Sequence, residues 1–262
     1  MPRRDEIFAA LERKIQELKT REYGAVEDED RKTLAEVFDK PALLTIYKLM
    51  TDGLIETVDF PISTGKEANV FRVTSPDGNY YALKIYRTST LTFKRISRYI
   101  EGDPRFKGIK GSRRKVVFAW ATKEFRNLQR LKEAKVRVPA PVKFNQNMLV
   151  MEFIGTEGQP APLLREVQLD DPRKTYMTVV KYIKAAYKKA ELVHADLSEY
   201  NILMHEGEPV IIDVGQGMTL EHPNAKEFLL RDIENINRFF RSLDVKVIET
   251  NQLMKDITGV KQ

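Results

Sequence analysis

Apolar residues recur along the chain at two periods, and the switch between them marks its organisation. Ile7, Leu11, Ile15 and Leu18 share one helical stripe amid charges, which predicts an amphipathic helix from Asp5 to about Lys19, ending near Gly24. The acidic run Glu27-Asp28-Glu29-Asp30 that follows reads as an exposed linker, because like charges disfavour packing. Thr33–Phe38 and Pro41–Met50 are again helical in pattern, with Pro41 suited to a first helical position and Asp52-Gly53 as the stop. From Ile55 the period falls to two. Strands are predicted over Ile55–Ile62, Ala68–Thr74 and Tyr80–Tyr86, the last two joined by a Pro76-Asp77-Gly78 turn. A helix over Phe118–Lys132, strands at Val142–Phe144 and Met148–Ile154, and helices over Pro172–Glu191, Ala225–Ser242 and Thr250–Ile257 complete the pattern. The prediction is an α+β fold of two lobes: a helical extension over residues 1–54, a sheet-bearing lobe over 55–154 with an insertion at 87–115, and a mainly helical lobe over 155–262.

Two charged residues interrupt these apolar patterns. Lys84 lies in the middle of Ala82-Leu83-Lys84-Ile85, where an ammonium needs an anionic partner or an exposed edge. Glu124 shares a helical face with Trp120, Leu128 and Leu131. Each alone fits a solvated margin; together they suggest an ion pair near a bound anion. Between the first two strands, Ser63-Thr64-Gly65-Lys66-Glu67-Ala68-Asn69 is a small polar turn that can lay backbone N–H groups and Ser63 against phosphates, with Lys66 adding charge. It is not a Walker A loop, and alone it is an ordinary hairpin turn. Met151-Glu152-Phe153-Ile154-Gly155 ends an apolar run on a glycine and reads as a connector between lobes.

The chain is organised around Leu192–Leu203 and Ile211–Gly215. His194-Ala195-Asp196 is followed by Asn201 five residues after the aspartate, then by Asp213 behind an apolar run. Asp196, Asn201 and Asp213 thus fall on two tight turns flanked by strand-like segments. This layout suits phosphoryl transfer: one carboxylate orients the attacking hydroxyl, while an amide and a second carboxylate hold magnesium on the phosphates. His194 is expected to be a packed, hydrogen-bonded scaffold residue. After Gly215 come 47 residues without an Ala-Pro-Glu segment, so neither an activation loop nor a substrate-docking subdomain is expected.

Composition narrows the chemistry. The chain has no cysteine, which excludes disulfides, thiolate metal sites and cysteine nucleophiles. Three scattered histidines do not suggest a zinc site, leaving oxygen-bound magnesium as the metal to expect. The N-terminus lacks an apolar signal core and no apolar run is long enough to span a bilayer, so a cytoplasmic protein is expected. A net charge of +6 favours anionic partners. Residues 87–115 alone carry +8, with Phe93, Tyr99 and Phe106 interleaved among the basic residues. Such a segment can grip RNA through phosphates and base stacking, or be a solvated loop. The lysine face of the Pro172–Glu191 helix, with Lys181, Lys184 and Lys188, reads as solvated.

Ser63–Val70, Leu192–Asn201 and Ile211–Gln216 together resemble the RIO family of atypical protein kinases, most closely its first subfamily. The resemblance runs from about Ile55 to the C-terminus. It implies a two-lobed kinase fold with an insertion before the glutamate helix, ATP and Mg2+ as cofactors, and serine autophosphorylation or ATPase turnover. It also implies a role in small ribosomal subunit maturation, with the pre-ribosomal subunit and ribosomal RNA as partners. Carried over residue by residue, Lys84 would grip the phosphates with Glu124 fixing it, and Asp196 would act as catalytic base. Asn201 and Asp213 would bind metal. Ser63, Lys66, Glu67 and Asn69 would form the phosphate loop, and Glu152 and Ile154 would meet the adenine. Family members are also described as forming an aspartyl-phosphate, here at Asp213. Ala195 departs from ordinary kinases, which place an arginine there. Two other readings stay open, a small-molecule phosphotransferase and a non-catalytic ATP-dependent RNA-binding factor.

Overall fold

The protein is described by a computed structural model covering residues 40–88 and 113–259, together with Ala9, Arg13 and Phe38. Within the predicted first helix, Ala9 and Arg13 are both helical, and Arg13 Nε donates to Ala9 O at 3.3 Å. Apart from Phe38, the predicted Thr33–Phe38 helix lies outside the described residues, as do 89–112 of the basic segment. The described residues separate into two compact units, one holding 40–88, 113–121 and 142–153, the other 122–141 and 154–259.

The first unit is a helix laid on a sheet. Helix α1, Lys40–Thr51, stops where Asp52 N bonds Lys48 O and Gly53 turns left-handed at φ 71°. Strands β1 (Thr57–Thr64), β2 (Ala68–Thr74), β3 (Tyr80–Tyr86), β4 (Pro141–Asn145) and β5 (Met148–Glu152) pair in the order β1-β2-β3-β5-β4. Strand β1 begins at Thr57 rather than Ile55 because Ile55 is spent in the core; its N–H caps Leu49 O. The alternation of side chains decides the faces. Phe71, Val73, Leu83, Ile85, Met148 and Val150 pack with Ala42, Ile46 and Leu49 of α1. Val70, Ala82, Lys84, Leu149 and Met151 take the opposite face, since Val70 and Leu149 both lie directly across from Lys84. Helix α1 therefore buttresses the sheet from the side away from Lys84.

Helix α2 spans Arg113–Glu133, so it begins five residues before the predicted Phe118. Arg113, Arg114 and Lys115 occupy its first turn. They do not belong to an insertion separate from the helix. Arg87, at the other end of the predicted 87–115 insertion, is likewise framework: it is buried, its N–H bonds Glu67 O at 2.9 Å, and its Nη2 donates to Asn69 Oδ1 at 3.2 Å.

The second unit is mainly helical. Helix α3, Pro172–Lys188, is capped by Asp171, whose Oδ1 accepts from Lys174 N at 2.8 Å, and it ends three residues before the predicted Glu191. Before it in sequence come β6 (Gly155–Thr156) and β7 (Gln159–Pro160), and after it β8 (Leu192–Val193), β9 (Ile202–His205), β10 (Glu208–Ile211) and β11 (Met218–Thr219). Helices α4 (Ala225–Arg241) and α5 (Thr250–Thr258) close the unit. The α3 lysine face is not simply solvated: Lys184 Nζ lies 3.6 Å from Asp256 Oδ2 and Lys188 Nζ donates to Asp256 O at 2.7 Å, tying α3 to α5. Tyr176 packs on Phe240 with ring centroids 5.3 Å apart, and its hydroxyl donates to Asn237 Oδ1 at 2.9 Å. Buried Asn237 in turn donates to Ile248 O, which fixes the link into α5.

Candidate active site

The segment Val193–Asn201 leaves β8, turns, and enters β9. Its first bend rests on Ala195, held at φ 67° although it is not glycine. Such a conformation persists only where surroundings enforce it. Here the enforcement comes from α4. Asp232 Oδ2 accepts Ala195 N at 2.8 Å and Oδ1 accepts Leu197 N at 2.8 Å, Arg231 Nη2 donates to Ala195 O, and Asn235 Nδ2 donates to Leu197 O. One helix face thus grips both sides of the bend. Asp232 is buried, and desolvation raises its carboxyl to about 6 against the opposing pull of His194 and the two backbone N–H groups.

The bend presents Asp196, half-exposed, toward Asn201. Asn201 Nδ2 donates to Asp196 O at 2.7 Å and approaches Asp196 Oδ2 at 3.5 Å. Ile212 N donates to Asn201 O at 3.0 Å, which sets the strand end carrying Asp213 beside Asn201. His194 Nε2 meets Ile212 O at 3.0 Å, the scaffold contact the sequence suggested. Asp213 is exposed, itself left-handed at φ 56°, and heads a 3-10 turn over Val214–Gln216. Burial raises the Asp196 carboxyl above its usual range. The Asp213 carboxylate raises it further, while His194, Arg231 and the Asn201 hydrogen bond oppose the shift. The Asp213 carboxylate thus lies within electrostatic reach of Asp196.

The turn after Asp213 is held by α2. Asn127 Nδ2 donates to Val214 O at 2.8 Å and to Gly217 O at 3.0 Å, and buried Lys123 Nζ donates to Gln216 O at 3.3 Å. A Cβ at Gly217 would stand 3.0 Å from both Asn127 Nδ2 and Val214 O, so a larger residue would crowd this grip. Sequence reasoning missed Asp232, Asn127 and Lys123. Asp232 had the same signal as Glu124: it sits at four-residue spacing between Phe228 and Ile236 on an apolar stripe.

In the first unit, Lys84 is buried on the third of five strands, so it is not an edge-exposed lysine. Ser63, near the end of β1 across from Val70, and Lys66, on the β1–β2 turn, are exposed, and Glu67 is half-buried. Asn69 is fully buried; its Oδ1 accepts Gly65 N at 3.3 Å, so its side chain shapes the turn from within. Glu152 closes β5 opposite Tyr81. In the second unit, Glu124 is buried on α2, and Ile154 is buried with its carbonyl taken by Ala161 N at 3.0 Å.

The Asn201 and Asp213 side chains fit a hard cation. Asn201 commits its amide nitrogen to Asp196, which leaves the amide oxygen as the end able to ligate, and Asp213 offers an exposed carboxylate. Among the described residues no three His, Cys, Asp or Glu cluster as a metal cage. A magnesium ion at this pair would complete its shell with phosphates and water, as that ion commonly does.

A five-stranded sheet with a buried lysine on the face away from α1, and a helical unit carrying D-x-x-x-x-N and D-x-G turns, define a protein-kinase-like fold. The comparisons agree. The fold is similar to two crystal structures of Rio2 kinase from Chaetomium thermophilum, one of them an ADP/Mg2+-phosphoaspartate complex, with TM-scores of 0.67 and 0.66, 20% identity and 98% of this chain covered; 86% and 87% of those chains are covered. Residues 69–253 match the RIO domain family. The chain is 48% identical over 205 residues to the RIO-type serine/threonine-protein kinase Rio1 of Haloferax volcanii, covering 78% of this chain and 70% of that protein. It is 44% identical over 234 residues to that of Methanocaldococcus jannaschii, covering 88% and 79%, and 40% identical to human serine/threonine-protein kinase RIO1, spanning 97% of this chain but only 45% of the human protein. The chain belongs to the RIO family of atypical kinases. No described helix is long and apolar enough to cross a membrane.

Proposed function

We propose that the chain is an ATP- and Mg2+-dependent serine/threonine kinase whose base is Asp196. The observation that carries this is the Asn201 hydrogen bond to Asp196 O, with Ile212 N on Asn201 O, which ties the turn bearing Asp196 and Asn201 to the approach to Asp213. In this reading Asp196 accepts the proton of a serine or threonine hydroxyl as its oxygen bonds to the γ-phosphorus and the bond to the ADP oxygen breaks. Magnesium, when bound, would neutralise charge on the phosphates. Asn201 and Asp213 hold it, Lys84 grips the phosphates and is fixed by Glu124, and Ser63, Lys66 and Glu67 line the phosphate turn that Asn69 braces. Adenine lies against the backbone of Glu152 and Ile154.

The finer reading is that turnover also proceeds as ATPase through an aspartyl-phosphate at Asp213, and that the biological partner is the maturing small ribosomal subunit with its RNA. The exposed carboxylate of Asp213 supports the first part, as does the phosphoaspartate of the Rio2 complex. The basic 87–115 segment supports the second. The test is Asp196→Ala, read by ATP turnover and by mass spectrometry of phosphoserine. Transfer should fall by about 10²-fold or more with nucleotide affinity nearly kept. Full retained transfer would remove Asp196 from the mechanism.

A further inference from the structure

Between Asp196 and Asn201 the loop exposes one aromatic residue, Tyr200, at 51% relative exposure. It does not stand alone. The guanidinium of Arg165 lies over its ring, 4.4 Å from the centroid. The pairing is built by the fold. Leu163 bridges Leu203 and Met204 N donates to Pro162 O at 2.9 Å, so residues 162–163 lie against β9. Leu164 is wholly buried, and Glu166 folds back so that its Oε2 accepts Leu163 N at 3.0 Å, fixing the 3-10 turn over Leu164–Glu166 that carries Arg165. Arg165 is exposed, and no carboxylate among the described residues pairs with it within ion-pair distance. Of its acidic neighbours, Glu166 is committed to the turn, and Glu199 is half-buried where Tyr200 is exposed.

A hydroxyl that reaches Asp196 brings its own chain past this loop. The flanking residues of that chain then meet Tyr200, one residue before Asn201, and the guanidinium parked on it. A planar guanidinium held on an aromatic face keeps its edge N–H groups free for a carboxylate. Resting on the kinase reading above, we propose that Arg165 and Tyr200 form a substrate-recognition site that selects acidic segments flanking the phosphoacceptor hydroxyl. The net charge of +6 adds long-range attraction for the same substrates. An RNA strand stacking on Tyr200 is the competing use of this surface. Its position within the catalytic turn, rather than along an extended basic track, favours the phosphoacceptor.

The experiment uses the full chain with Mg-ATP and two serine peptides, identical except that glutamates flank the serine in one and lysines in the other. Wild type should favour the glutamate peptide by about tenfold or more in kcat/KM. Arg165→Glu should abolish or invert that preference with ATP turnover unchanged, and Arg165→Lys should keep part of it. Equal use of both peptides by wild type overturns the proposal, as does phosphorylation of neither while ATP is turned over. A preference untouched by Arg165→Glu overturns it too, and so does a loss confined to single-stranded RNA binding. Absence of ATP turnover in wild type would instead strike at the kinase reading itself.

Discussion

Arg231 Nη2 lies 3.9 Å from Asp196 Oδ1 while donating to Ala195 O, so one guanidinium both braces the catalytic bend and faces its carboxylate. Ala195 leaves this place in the loop without a side-chain cation, and α4 supplies one from outside. Arg231→Ala should lower kcat about tenfold or more, with KM for ATP little changed, because the contact orients the base rather than the nucleotide. Arg231→Lys should recover part of the loss. A fall in ATP affinity with unchanged kcat would show that Arg231 serves binding instead.

Asp213 is exposed at a left-handed position directly after the strand end that Asn201 holds. Asp213→Asn is expected to weaken Mg-dependent ATP binding more than metal-free binding, since only the carboxylate carries the charge a divalent cation needs. Titrations with and without Mg2+ compare the two. If Asp213 also takes the phosphoryl group, the wild-type adduct will be cleaved by hydroxylamine, and phosphoserine will not.

Asp232 makes stability depend on pH. Unfolded, its carboxyl ionises near 3.8; folded, burial holds it at about 6, so between these values the folded chain keeps a proton the unfolded chain has lost. Stability from this group is therefore greatest below about pH 4 and falls as pH rises toward 6, by an amount on the order of 3 kcal/mol. Urea unfolding at pH 4, 5 and 6 should reveal this slope beneath contributions from other carboxylates. Asp232→Asn removes it. That variant should also lose about 1–3 kcal/mol, because an amide cannot accept both Ala195 N and Leu197 N without turning a donor onto one of them. A variant with an unchanged slope would assign the dependence elsewhere.

The basic segment invites a salt titration. Each phosphate neutralised contributes a slope of about −0.9 on duplex and −0.7 on single-stranded nucleic acid. Replacing Lys94, Arg95 and Arg98 with Ala should flatten the slope of ribosomal RNA binding and leave basal ATP hydrolysis intact. These positions avoid Arg113, Arg114 and Lys115, which start α2 and would confound charge with helix stability. Unchanged affinity and slope would reduce the segment to a solvated loop.

The sequence by itself determined which residues interrupt an apolar pattern and where the turns fall. The strands over Ala68–Thr74 and Tyr80–Tyr86 were legible to the residue, because alternation and a Pro-Asp-Gly turn are local signals. Asp196, Asn201 and Asp213 were legible as a spacing, and the family as a combination of motifs. Tertiary structure alone decided what the spacing could not express. Helix α2 starts at Arg113 and Asn127 reaches across to Val214, which no local periodicity encodes. Asp232, 36 residues beyond Asp196 in the chain, holds the bend at Ala195 in a conformation its own sequence disfavours. A strained loop is stable only when groups distant in sequence satisfy its backbone, and those groups become neighbours only after the chain has folded.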